Sequence, residues 1–264
     1  MHFRQWNRRE FITLLGGAAA TWPLAARAQR AQPMRRVGWL IALAEDDPEG
    51  TARIASFRQT LADLGWSEGG NLRIDYRWGG PDADLRRNHA AELVALAPDV
   101  IVGVGSAATA PLLQATRSIP IVFVNLVDPV GSGYVASLAR PGGNATGFTQ
   151  FEYRISGKWL ELLKELAPNL SQTAVIRDPR AGPGIGQFAV IQAAAPVGME
   201  LYPVNAIDPA EIQRGIAAFA QLPGGGLIVT SGGTAFHRNL IISLAAHHRL
   251  PAVYPFRYPQ AIGK

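Results

Sequence analysis

Cysteine is absent from all 264 residues, which excludes a disulfide framework, a thiol nucleophile, a Cys-ligated metal site and a lipid anchor on cysteine. Charge is sparse, at 17% of residues, and nowhere forms a long run of one sign. The formal net charge is +5, but the first 28 residues hold Arg4, Arg8, Arg9 and Arg27 against Glu10, which is +3 and leaves +2 for the rest. So even a balance implies no nucleic-acid partner. Long hydrophobic runs are also missing: the block from Phe11 to Ala20 falls well short of the roughly 20 apolar residues that cross a bilayer. Glycine (28) and proline (19) are plentiful, as expected of many short elements joined by tight turns. With 48% hydrophobic residues the chain has material for one large globular domain or two small ones.

Residues 1–28 read as an export signal. Asn7-Arg8-Arg9-Glu10-Phe11-Ile12 is a twin-arginine pattern, the apolar block follows, Pro23 interrupts it, and Ala26-Arg27-Ala28 is a small-x-small cleavage site. The mature chain then begins near Gln29, and its expected location is a bacterial periplasm.

Beyond the leader, short apolar strands alternate with helical patterns of 10–15 residues, the signature of a parallel sheet covered on both faces. Strands are predicted at 36–41, 71–78, 99–105, 119–124 and 145–149, and helices follow the first four, including a short one through Val135 and Leu138. After Gln150-Phe151 the pattern restarts. Helices at 156–166, 187–195, 209–221 and 235–249 alternate with strands at 172–177, 199–204, 226–230 and 252–256, and 179–186 reads as a Gly/Pro-rich loop. The expectation is two α/β lobes, 34–150 and 151–264.

His237, His247 and His248 share one predicted helix, but His237 and His247 lie about 15 Å apart along it and the adjacent pair diverges, so neither spacing chelates a metal. His89 on an apolar helical face reads as a satisfied core histidine, and Trp39, Trp66, Trp78 and Trp159 as core packing. Ser231 ends a strand, yet no G-x-S-x-G elbow surrounds it. Gly103-Val104-Gly105-Ser106-Ala107-Ala108 fits G-x-G-x-x-A between a strand and a helix, with Asp128 about 20 residues on. It follows the third strand instead of the first, and tight-turn geometry explains its glycines equally. An exported NAD(P)-dependent oxidoreductase is the enzyme alternative it leaves open. The reading that uses most features is a cleft between lobes, because ligands of open α/β sheets bind beyond the carboxyl ends of the strands. The loops converging there offer Glu45, Asp46, Ser106, Thr109, Asn125, Asp128, Asp178, Asn205 and Ser231 as candidate ligand-binding residues. Helix N-termini suit a carboxylate and the acidic side chains an ammonium, so a zwitterion such as an amino acid meets both demands. No catalytic residue, metal or cofactor is expected.

Three stretches carry a resemblance: Pro120-Ile121-Val122-Phe123-Val124-Asn125, then Asp128-Pro129-Val130-Gly131-Ser132-Gly133, then Ser137 through Phe148 (SLARPGGNATGF). Together with Lys158-Trp159-Leu160-Glu161-Leu162-Leu163-Lys164-Glu165 and the leader, they resemble a bacterial family of transporter substrate-binding proteins. These are receptors of ATP-binding-cassette importers, some associated with tryptophan or other aromatic amino acids. The resemblance runs from about Arg36 to Tyr258. It implies a type I periplasmic-binding-protein fold, with two Rossmann-like lobes, a hinge near Phe151 and closure over a small ligand. It also implies a monomer that delivers its ligand to a membrane permease without making or breaking a bond. Ser106, Thr109, Asn125 and Asp128 would contact the ligand from the first lobe, and Asp178, Asn205 and Ser231 from the second. Family members continue for several dozen residues past the strand ending at Phe256, whereas here an unfamiliar tail begins at Pro259, so the resemblance implies an incomplete second lobe. A periplasmic sensor domain reporting a ligand to a signalling partner is a further alternative.

Overall fold

A computed structural model describes residues 34–257; the leader and the tail from Tyr258 lie outside the described residues. The first sheet contains β1 (Arg35–Ile41), β2 (Leu72–Trp78), β3 (Val100–Val104), β4 (Ile121–Val127) and β5 (Ala145–Phe151) in the order β2-β1-β3-β4-β5. All its pairs are parallel. The second contains β6 (Gln172–Arg177), β7 (Glu200–Asn205), β8 (Gly225–Val229) and the two-residue β9 (Ala252–Val253), in the order β7-β6-β8-β9 and again wholly parallel. Both sheets thus place their second strand outside the first and grow in the opposite direction thereafter. The strand order reverses at β1/β3 and at β6/β8, and a crevice opens at such a point.

Helices α1 (Pro48–Asp63), α2 (Ala83–Ala95) and α3 (Ser106–Ala115) belong to the first lobe. Those of the second are α4 (Ile155–Leu166), α5 (Gly182–Ala194), α6 (Pro209–Phe219) and α7 (Arg238–His247), the last preceded by a 3-10 turn, Gly233–His237. Aspartates start three of them. Asp47 accepts from the Glu49 amide at 3.0 Å, Asp82 from Asp84 and Leu85 at 2.8 and 3.2 Å, and Asp208 from Glu211 at 2.9 Å, each satisfying N–H groups that the helix itself leaves unpaired.

Strand alternation divides the apolar side chains between two faces of each sheet. In the first lobe Leu40, Ile101, Ile121 and Phe123 pack under α2 and α3, while Val37, Trp39, Ile41 and Val102 lie under α1. In the second, Ala174, Ile176, Leu227 and Val229 meet α6 and α7, and Val175 and Ile228 meet α4 and α5. Among the described residues, coverage is incomplete on part of the first sheet. On the α1 side of the first sheet, beyond the reach of that helix, Thr146 and Gln150 are exposed, Val122 and Val124 half-buried, and Phe148 is 73% exposed.

The lobes are joined at the end of β5. Phe151 packs edge-on against Trp159 of α4, with ring centres 5.8 Å apart, and against Phe256 at the same distance. Asp128 staples the crossing with both carboxylate oxygens: one accepts from the Gly131 amide at 2.7 Å, the other from the Tyr153 amide at 3.1 Å.

Three sequence expectations are corrected. The helix through Val135 and Leu138 is a chain of turns, because Asp128 and Gly133 take positive φ (42° and 72°) and Pro129 begins the run. Of the stretch 179–186 read as a loop, the part from Gly182 is instead the first turn of α5. Its glycines serve close approach there: a side chain at Gly184 would strike the backbone of Asp178, and one at Gly186 the Tyr153 ring. The long helix expected from Ala235 is broken into the 3-10 turn and the shorter α7.

Candidate functional site

The carboxyl ends of β1, β3 and β4 face those of β6 and β8, and two adjoining cavities of about 80 and 360 Å³ lie between them. They share Ser106 and Ala107 of the first lobe with Gly232 and Phe236 of the second. Two larger grooves, about 430 and 770 Å³, run between α1 and the outer edge of β2. They are lined by the first lobe alone and touch nothing of the second, so size does not decide in their favour.

Ser106 begins α3 at the centre of the cleft. The residue before it, Gly105, holds φ at 84° and offers no side chain to cap the helix, so among the described residues no side chain caps the first amides of α3. This is the positive end of a helix dipole. Ser106 is only 7% exposed and lines both cavities. Gly103, two residues before Gly105 on β3, lets Thr109 and Leu112 sit directly on the strand, a packing role for the first glycine of the G-x-G pair.

The smaller cavity is polar on its α1 side. Arg53 pairs with Glu49 one turn before it, and Asn125 meets it across the strand end. With its oxygen turned to the guanidinium, the only orientation giving that oxygen donors, Asn125 accepts from Arg53 at 2.6 and 2.8 Å and donates to Gln150 at 2.9 Å. Asn125 reaches this position through a bulge: the β4–β5 register shifts between Phe123 and Leu126, and Asn125 turns to φ 59°, a conformation Asn tolerates better than most residues.

The second lobe contributes Asp178 and Ser231. Asp178 is 7% exposed; one carboxylate oxygen accepts from the Arg180 amide at 3.0 Å and from Nε at 3.1 Å. That contact pushes the Arg180 pKa up. Gly233 is pressed so closely on the Asp178 carboxylate that a side chain there would collide with it. Ser231 donates both its amide (2.8 Å) and its hydroxyl (2.9 Å) to Gln187 Oε1, leaving Gln187 Nε2 buried without a partner. Arg86 of α2 stacks on Phe236, 5.2 Å from the ring centre, and burial is the leading influence that lowers its pKa. Burial likewise lowers His237, against the opposing pull of Asp178 and Asp208.

The nine sequence candidates therefore separate. Ser106, Asn125, Asp178 and Ser231 line the cavities between the lobes. Glu45 and Asp46 are exposed, Glu45 beside the groove at the β2 edge. Thr109 is fully buried and donates to the carbonyls of Gly105 (2.9 Å) and Gly103 (3.3 Å). Asp128 is the hinge staple, and Asn205 donates to Glu211 at 3.1 Å outside both cavities. Sequence reasoning missed Glu49, Arg53, Arg86 and Phe236. The first three sit on ordinary amphipathic helices, and only the fold brings them to the strand ends. His89, expected to be satisfied, keeps Nδ1 buried without a partner, and among the described residues no three acidic or histidine side chains cluster as a metal site.

Comparison with known proteins agrees with this geometry. Among solved structures, a conserved domain protein from Vibrio cholerae superposes with a TM-score of 0.75 at 26% identity, over 84% of this chain and 74% of that one. An ABC domain in complex with L-Trp from Streptococcus pneumonia gives 0.72 at 21% identity with the same coverage. A curated relative, the tyrosine-binding protein of Clostridioides difficile (strain R20291), is 33% identical over 120 residues, which is 46% of this chain and about a third (34%) of that protein's length. Residues 44–255 match the profile of a family described as ABC transporter substrate binding protein. The two doubly wound parallel lobes are the type I periplasmic-binding-protein fold. On the extent of that match, the chain belongs to the ABC transporter substrate binding protein family.

Proposed function

We propose that the protein captures a small polar ligand, an amino acid or a related carboxylate, in the cleft between its lobes and delivers it to an ABC permease. The observation that carries this reading is the convergence of both sheets' carboxyl ends on Ser106, a largely buried residue that lines both cavities at the start of a helix no side chain caps among the described residues. A ligand carboxylate satisfies the uncapped amides. Arg53, held by Asn125, adds positive charge on the first lobe, and Glu49 and Asp178 supply negative charge for an ammonium. Phe236 and Phe256 give the cavities an apolar wall. The tyrosine-binding relative and the L-Trp complex support an amino acid with an aromatic side chain as the first class to test.

Binding is the whole activity in this reading: no catalytic residue, metal or cofactor takes part, and the protein acts as a monomer. Residues 1–28 direct it to the periplasm by the twin-arginine route, and the lobes divide near residue 151.

A thermal melt of the chain against a panel of amino acids, benzoate and NAD(P) tests the proposal. A ligand that binds only the native state at a hundred times its Kd stabilises by about 2.7 kcal/mol, or roughly 5–10 °C for a chain of this size. A rise confined to one class of amino acid or carboxylate is the expected outcome, and Ser106→Ala should shrink it. A rise with NAD(P) alone, or none with any compound, overturns the reading.

A further inference from the structure

The mouth of the cleft is bridged by one ion pair, the only one between the lobes among the described residues. Arg238 Nη2 donates to Asp47 Oδ2 at 2.8 Å across 191 positions of sequence. Both side chains are largely buried, 14% and 10% exposed. Each is also anchored on its own lobe. Asp47 Oδ1 accepts from the Glu49 amide at 3.0 Å as the cap of α1, and Arg238 Nη1 donates to the Ala235 carbonyl at 3.3 Å as it closes the 3-10 turn. Both partners are therefore held in place before they meet, and little side-chain freedom is lost on pairing. Two residues before Arg238, Phe236 receives the Arg86 guanidinium, so one short turn of the second lobe grips the first at two separate elements. The ion pair does not line either cavity, although Leu43 and Glu49, which flank Asp47 in sequence, and Phe236 do.

We propose that Asp47 and Arg238 are the positioning pair of the cleft: they hold the lobes together and so set how tightly any molecule is bound without choosing which molecule binds. The inference rests on the reading of the cleft as a ligand site. Its physical basis is that apparent affinity falls in proportion to the fraction of molecules in the binding-competent arrangement. Loss of a contact made only between the lobes lowers that fraction equally for every ligand. A residue touching the ligand would instead change affinities unequally.

Asp47→Asn is the informative variant, because Asn caps a helix about as well as Asp and removes only the charge. It is compared with Arg238→Gln and with the double variant. Small-angle scattering of the ligand-free proteins should show both single variants more extended than the wild type, with the double variant no more extended than either. Dissociation constants for L-tryptophan, L-tyrosine and benzoate should rise by a common factor, roughly tenfold for loss of a buried charge pair, with the ratios among them unchanged. Scattering identical to the wild type overturns the proposal, as does a loss confined to one of the three probes or additive losses in the double variant. If none of the probes binds the wild type, the binding reading fails by itself, while the scattering still decides whether the pair holds the lobes together.

Discussion

Single side chains show where the interior is under-satisfied. Tyr76 of β2 lies between α1 and the sheet, its ring 6.4 Å from that of Trp39, and its hydroxyl is buried with no partner among the described residues. Burial, reinforced by nearby Glu68, pushes its pKa up to about 12. The sign of the consequence is fixed. The neutral phenol is favoured in the folded state, so its contribution is complete below the unfolded value near 10 and is lost as pH rises from about 10 to 12. Tyr76→Phe removes both the titration and an unpaired hydroxyl that costs free energy to bury. The variant is expected to be at least as stable as the wild type at pH 7 and to lose less stability on going from pH 9 to 12. Urea melts at the three pH values measure this, and a destabilised variant at pH 7 would show that the hydroxyl has a partner after all.

Helices and strands are where the sequence was most readable, and the exceptions have physical causes. Asp208 stands directly before the helix expected from Pro209 and caps it, whereas for α2 the sequence points to Asp84 and the cap is Asp82. Asp208→Ala should cost about 1 kcal/mol, read as a lowered urea midpoint with an unchanged slope, because α6 contributes the fully buried Ile212 and Ile216 to its core. The parallel strands were legible because burial on both faces demands continuous apolar runs. The start of α5 was not, since Gly182, Gly184 and Gly186 carry the composition of a loop while serving close packing against Tyr153 and Asp178. Of the site, strand ends such as Ser106 and Asp178 could be located from local pattern. Asn125 was found by position, but its pairing with Arg53 depends on a bulge that no periodicity announces. The Asp47–Arg238 pair joins residues that are neighbours only through the tertiary fold, so nothing local in the sequence marks it.

At the scale of the molecule, the four apolar clusters fall two to a lobe. At the hinge, Phe151 links the halves through its aromatic contacts with Trp159 and Phe256. Cooperative units tend to follow such boundaries. Scanning calorimetry of the ligand-free chain should therefore resolve two overlapping transitions, which Asp47→Asn separates further and a saturating ligand draws together. One two-state transition, indifferent to that substitution, would mean that the lobes unfold as a unit.

The uncovered strip around Phe148 acts on a different property. It lies on β5, the edge strand of the first sheet, where unpaired backbone groups and an exposed aromatic ring stand side by side. Edges of this kind recruit other chains. Colloidal behaviour is thereby uncoupled from folding stability: the strip sets the concentration at which the protein remains dispersed, while the interior is indifferent to it. A charged residue at position 148 would change the first without disturbing the second.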